Sequence, residues 1–151
     1  MMAAFPADRV EQAAWICNAR GQTLTPLRRR VFEIVLAADR PIGAYDVLDM
    51  LAAERGRVAP PTVYRSLDFL VGQGLVHKVL SVNGFVACSA AARPHDAQLF
   101  ICGSCGSSVE VARQLRAGLI EEEAEALDFA IESVVLEVHG RCHACRLATA
   151  P

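Results

Sequence analysis

Apolar residues recur at helical spacing through the first half of the chain, and β-rich runs take over further along. Val10, Ala13, Ala14 and Cys17 predict a helix over Asp8–Arg20, which Gly21 stops. Thr25 can accept a main-chain N–H as N-cap, and Pro26 suits the first helical position, where its missing donor costs nothing. The stripe Val31, Ile34, Val35, Ala38 then predicts a second helix, and Val47, Leu48, Leu51 a third over Ala44–Arg55, closed by Gly56. After Pro60-Pro61 a fourth runs through Val63, Leu67, Leu70 and Val71 to Gly72 or Gly74. Two β-rich runs follow, Leu75–Val82 and Phe85–Cys88, joined by Asn83-Gly84, a strong hairpin signal. Short helices followed by a hairpin describe a winged helix-turn-helix.

The alanine-rich stretch Ser89–His95, with Pro94 near its end, reads as a linker. Beyond it, Leu99–Cys102 and Ser108–Val111 predict short strands, Arg113–Leu127 a helix and Ala130–Val138 a β-branched strand. The expected class is α+β: a winged-helix domain over 1–88, a hinge over 89–95 and a small α+β domain over 96–151. A unit of about 60 residues is marginal by itself.

Composition sharpens this picture. The 151 residues are 53% hydrophobic and 21% charged, enough for a packed core and unlike a disordered or fibrous chain. A net charge of −2 excludes a bulk polycation, yet the charge is uneven. Residues 1–82 hold 10 Lys+Arg against 8 Asp+Glu, and residues 83–151 hold 5 against 9. A mildly basic front and an acidic back point to two tasks. Met1–Val10 has no apolar signal core and no stretch reaches the roughly 18 apolar residues of a membrane span, so the expected compartment is the cytoplasm. Six cysteines would stay reduced there, as metal ligands, reactive thiols or core fillers.

Cys102-Gly103-Ser104-Cys105 and Cys142-His143-Ala144-Cys145 are two C-x-x-C pairs separated by 36 residues. Each can bite a cation from a tight turn, and two bites make a closed tetrahedral thiolate site, the signature of structural zinc. The gap accommodates a strand, a helix and a strand, so a metal would clamp the end of the domain to its beginning. The rival reading is a pair of redox dithiols in a thiol–disulfide oxidoreductase, but no active-site βαβ pattern accompanies them. No nucleophile–base constellation is placed by motif, and the expectation is a protein that is not an enzyme.

On the fourth helix, Arg65 lies about 200° around from the inward Val63, and so points outward with Thr62 and Ser66 nearby. An outward arginine near the start of a second helix is where a recognition helix carries a groove-reading fork. Tyr64, Tyr45 and the triplet Arg28-Arg29-Arg30 can supply phosphate contacts; for the triplet, a solvated helix face is the competing reading.

Leu24-Thr25-Pro26, Pro61-Thr62-Val63-Tyr64-Arg65-Ser66-Leu67, Gly74-Leu75-Val76-His77-Lys78 and the paired C-x-x-C motifs together resemble the ferric uptake regulator family, from about Glu11 to Cys145. Ala44-Tyr45-Asp46, Asp68-Phe69-Leu70, Val76-His77-Lys78-Val79 and Phe100-Ile101-Cys102 are most similar to its zinc uptake regulator branch. The resemblance implies a cytoplasmic homodimer that binds palindromic double-stranded operator DNA when loaded with zinc and represses zinc uptake genes. It also implies a regulatory site at the hinge made of His77, Cys88, His95 and Glu110, hence two zinc ions per chain with the structural one. One thiolate, two imidazoles and a carboxylate suit zinc, whereas an iron- or peroxide-responsive regulator of the same family would favour harder N/O ligands. Two departures bear on a third site: His95-Asp96-Ala97-Gln98 lacks the denser His-x-His pattern, and Ser133 stands where many members place a histidine.

Other residues take plainer readings. Cys17 is a small buried hydrophobe, His139 a surface histidine with a secondary metal ligand as the open alternative, His143 part of its turn, and Glu121-Glu122-Glu123 with Glu125 a solvated helix face.

Overall fold

The computed structural model describes residues 6–93, 95–113, 118–132 and 134–148. They form two compact units that divide between Ala92 and Arg93. The first holds α1 (Pro6–Ala19), α2 (Pro26–Ala37), α3 (Ala44–Arg55), α4 (Pro60–Gly72), β1 (Val76–Val79) and β2 (Gly84–Ala87). Thr25 caps α2 by accepting the Arg28 N–H at 3.4 Å. Asp46 does the same for α3, accepting the Gly43 N–H at 3.3 Å. Gly56, at φ 78, ends α3 in a conformation that disfavours any residue with a Cβ. Four residues later α4 starts on Pro60, completing a helix-turn-helix.

Helix α2 packs against α1, α3, α4 and β2, so it forms the centre of this unit. Its Val31, Ile34 and Val35 join Val47, Leu51, Val63, Leu67 and Leu70 in one core, each at most 2% exposed. Cys17 is fully buried in the same cluster, where burial pushes its thiol pKa up.

The hairpin after α4 differs in detail from its sequence expectation. The first strand ends at Val79, and Leu80–Val82 form a single 3-10 turn rather than continuing to Val82. Asn83 then takes the left-handed conformation at φ 47, while Gly84 is already the first residue of β2 and pairs with Val79. The glycine is needed for a close approach. Ile42 forms a bridge to Phe85 through N–H to O distances of 3.0 and 2.9 Å, which lays Pro41 against Gly84.

The second unit holds β3 (Asp96–Cys102), β4 (Ser108–Arg113), α5 (Leu119–Ala126), β5 (Val135–Gly140) and α6 (His143–Ala148). The sheet order is β4-β3-β5, with β4 antiparallel and β5 parallel to the central strand. Three expectations are corrected. Arg113 belongs to β4 because it pairs with Asp96, and the helix starts only at Leu119 after Gly118 at φ 109. Residues 114–117 of the expected helix lie outside the described residues. The last strand begins at Val135 rather than Ala130, since its parallel register runs from Ala97↔Val135 to Cys102↔Gly140. The six-residue α6 follows the second C-x-x-C start without any periodic signal long enough to announce it. Ala97, Leu99 and Ile101 are buried, while Phe100 on the opposite face is exposed.

A Cβ at position 84 would sit 2.8 Å from Pro41 Cβ and 3.2 Å from the Pro41 carbonyl carbon. Gly84→Ala is therefore expected to lower stability by about 1–3 kcal/mol through overpacking, read as an earlier urea midpoint. An unchanged midpoint would contradict this close approach.

Candidate metal centres and nucleic-acid interface

Parallel pairing of β3 with β5 sets Cys102 opposite Gly140, and the Gly103 N–H donates to Gly140 O at 2.9 Å. The turn after β3 and the segment after β5 therefore meet at one end of the sheet. Their four cysteines, Cys102, Cys105, Cys142 and Cys145, place all sulfurs within 4.8 Å of one another, with Cys105 Sγ and Cys142 Sγ 3.8 Å apart. Zinc–sulfur bonds of about 2.3 Å in a tetrahedron require sulfur–sulfur edges of about 3.8 Å, so this donor set fits zinc. All six cysteines of the chain are free thiols.

Main-chain donors prepare the cluster for a cation. The Cys142 N–H donates to Cys102 Sγ at 3.3 Å, and together with the Cys105 and Ser104 N–H groups it pulls the Cys102 pKa down to about 5. Cys105 is lowered as well, chiefly by the Ser107 hydroxyl 3.1 Å from its sulfur, which can donate once the thiol ionises. Cys145 goes the other way and is pushed up to about 12, because its thiol is hydrogen-bonded to the sulfurs of Cys142, Cys105 and Cys102. One thiolate is thus ready at neutral pH, and another proton leaves only when a cation replaces it. Ser104 and Ser107 were not singled out by spacing; small residues inside and just after the first C-x-x-C are the signal that could have found them.

The second expected ligand set is present as two pairs, one in each unit. In the first unit, His77 on β1 and Cys88 just beyond β2 bring a ring nitrogen and a sulfur within 4.8 Å. Cys88 is 2% exposed, its N–H donates to Leu75 O at 2.9 Å, and its sulfur accepts the Ala90 N–H at 3.4 Å. In the second unit, His95 Nε2 lies 2.8 Å from Glu110 Oε1 on β4. His95 Nδ1 lies 2.9 Å from the Arg93 carbonyl, which can only accept and so fixes the tautomer. Nitrogen and carboxylate then face each other in an arrangement satisfied by a shared proton or by a cation that takes both as ligands. His139 makes a looser 3.6 Å pair with Glu137 and is half exposed. Ser133 lies outside the described residues.

On the helix-turn-helix, Val63, Leu67 and Leu70 bury one side of α4, leaving Tyr64 and Arg65 exposed and Thr62 half-buried. Among the described residues Arg65 has no ion-pair partner, so its fork is available. Tyr45, at the start of α3, meets Tyr64 edge to face with centroids 6.4 Å apart and is 66% exposed. Arg28 is engaged within the unit. Its guanidinium stacks 3.6 Å from the Phe69 centroid and donates to Thr23 O at 3.0 Å, leaving part of its fork. Arg29 pairs with Glu11 at 2.7 Å, and Arg30 forks onto Glu54 while reaching Glu33 at 2.8 Å. The triplet's charge is largely answered by carboxylates, and Glu54 is held below the usual carboxylate range by Arg30.

The family model of the ferric uptake regulator family matches residues 19–139. The chain belongs to that family. It is 42% identical over 139 residues to the zinc uptake regulation protein of Escherichia coli K12, covering 91% of this chain and 81% of that protein. A solved zinc uptake regulator complexed with zinc and DNA superposes with TM-score 0.90 at 38% identity, over 98% of this chain and 99% of that one. The crystal structure of holo XcZur gives 0.83 at 40% identity, over 95% and 99%. The family match includes the helix-turn-helix and the first C-x-x-C; Cys142, Cys145 and the residues of α1 before Ala19 lie beyond it.

The thiol pKa values carry a sign for metal uptake. The metal-loaded cluster binds fewer protons than the free one, because Cys145 must lose a proton that it keeps to about pH 12. Apparent affinity for the first zinc should therefore rise with pH between 6 and 8, about tenfold per unit for each proton displaced. Competition with a chelator of known affinity measures this. A pH-independent affinity would contradict the assigned protonation.

Proposed function

We propose that this protein is a zinc-responsive transcriptional repressor of zinc uptake genes, acting in the cytoplasm as a homodimer on palindromic operator DNA. The observation that carries the reading is a thiol in the second donor set. Cys88 beside His77 gives that set a soft ligand, which favours zinc over iron or manganese. The relatives described as zinc uptake regulators, one of them in complex with zinc and DNA, support the same choice.

In this reading Cys102, Cys105, Cys142 and Cys145 hold a structural zinc, and His77, Cys88, His95 and Glu110 together hold a regulatory one. The protein works by binding rather than by catalysis. Arg65 reads bases, while Tyr45, Thr62, Tyr64 and the remaining donors of Arg28 contact the backbone. Among the described residues no helix is long and apolar enough to cross a membrane.

The second unit supports pairing with another copy. Val109, Phe100 and Val138 lie side by side across the sheet, and Leu136 is one step along on the same face. Val109 is 62% exposed, and Phe100 and Leu136 are each 44% exposed, an apolar surface that a single chain leaves in water. Two copies joined there carry two reading heads. A regulatory ligand set with donors on both units ties head to pairing domain when filled, and the two recognition helices are then held at half-site spacing. A shift from 1:99 to 99:1 requires about 5.5 kcal/mol of differential affinity, within reach of four ligands, two of them anionic.

The test is operator binding titrated with zinc, ferrous iron and manganese in chelator-buffered, reducing solution. Zinc should drive binding at the lowest free concentration, and equal grip by stripped and loaded protein would overturn the reading. Cys88→Ser should keep the dimer and lose the zinc dependence. Arg65→Ala should cost about 1–3 kcal/mol of specific affinity with zinc content unchanged.

A further inference from the structure

The N-terminal helix reaches the regulatory ligand set. Arg9, in the second turn of α1, donates from Nη2 to the main-chain carbonyl of Cys88, 79 residues away. A guanidinium donor makes this a charge-assisted bond, stronger than an ordinary amide contact. The neighbours of Arg9 fix where it can reach: Val10, Ala13, Ile16 and Cys17 are all buried in the core that α1 shares with α2. The helix is therefore a rigid mount.

Three contacts bear on where Cys88 sits. Its N–H extends the ladder to Leu75 O, its sulfur accepts from Ala90 N–H, and its carbonyl accepts from Arg9. The first two contacts come from its own neighbourhood in the hairpin and the turn after it. The third comes from a separate helix. The carbonyl contact restrains rotation about the Cys88 Cα–C bond, which sets where the Ala90 N–H stands relative to the sulfur.

We infer that Arg9 is a positioning residue for metal sensing: by holding the Cys88 carbonyl it fixes the sulfur as a ligand beside His77 and couples α1 to the regulatory site. The inference rests on the proposed role of Cys88. In this role Arg9 acts through a ligand, as outer-shell partners of metal sites do. Its position precedes residue 19, where the family match begins, so the contact is a feature of this chain that the family match does not describe.

The test uses the full-length chain and its Arg9→Ala, Arg9→Lys and Cys88→Ser variants. Zinc affinities of the first and second equivalents are measured by chelator competition, and cobalt(II) reports the single-thiolate site through its sulfur-to-metal absorption. Arg9→Ala should weaken the second equivalent by about 10–100-fold and reduce the single-thiolate cobalt band, with the first equivalent unchanged. Arg9→Lys, which keeps one charged donor, should recover part of the loss. A second equivalent in Arg9→Ala as tight as in the parent, while Cys88→Ser abolishes it, would overturn the role of Arg9 and leave the site standing. Equal loss at both equivalents without rescue by lysine would assign Arg9 to folding and also overturn the inference. A parent chain that binds one equivalent only, or a Cys88→Ser variant as tight as the parent, would overturn both the inference and the regulatory site beneath it.

Discussion

Everything in the second unit turns on the parallel register of β3 and β5. Because Cys102 stands opposite Gly140, the residues following each strand meet at the same end of the sheet, and both C-x-x-C segments are delivered there. A sheet of three strands with helices of eight and six residues has little apolar surface to bury, and several of its large side chains remain exposed. Four sulfurs closing on a cation would supply what such a unit lacks, since structural zinc contributes on the order of 10–16 kcal/mol in finger peptides. The fold makes the cluster, and a cation held there would close the fold.

The first unit is built on the opposite principle. Its helices share one core centred on α2 and built from apolar side chains rather than a thiol cluster. That construction leaves its surface for recognition. The Arg28-Arg29-Arg30 triplet shows how the choice is made: two of the three arginines are answered by Glu11, Glu33 and Glu54, and the third lies over Phe69. Exposed ion pairs of this kind stabilise little, about 0–1 kcal/mol each, but they withdraw charge that would otherwise attract any polyanion. Arg65 has no such partner among the described residues, so its fork is left open. The pairing disfavours general adhesion to polyanions, in keeping with a net charge of −2.

Much of this was legible in the sequence because the signals are local. Thr25-Pro26, Gly56 and Pro60-Pro61 mark helix ends through chemistry confined to a few residues, and those ends were placed within a residue or two. The cysteine spacing announced a closed thiolate site without any knowledge of the sheet. Long-range pairing was not legible. Arg113 looked helical until its pairing with Asp96 claimed it for β4, and the branched residues Ile131 and Val134 drew the last strand forward from where its register with Ala97 begins. Asn83-Gly84 was right as a turn and wrong in detail, since the demand for glycine came from Pro41, more than forty residues earlier. The contact between Arg9 and Cys88 belongs to the same class, invisible to any local rule.

The central claim, that four cysteine sulfurs enclose the cation that closes the second unit, is tested most directly by X-ray absorption at the zinc edge. With one equivalent of zinc per chain, the account predicts a first shell of four sulfurs at about 2.3 Å and no nitrogen or oxygen. A mixed shell containing imidazole or carboxylate at one equivalent would contradict it.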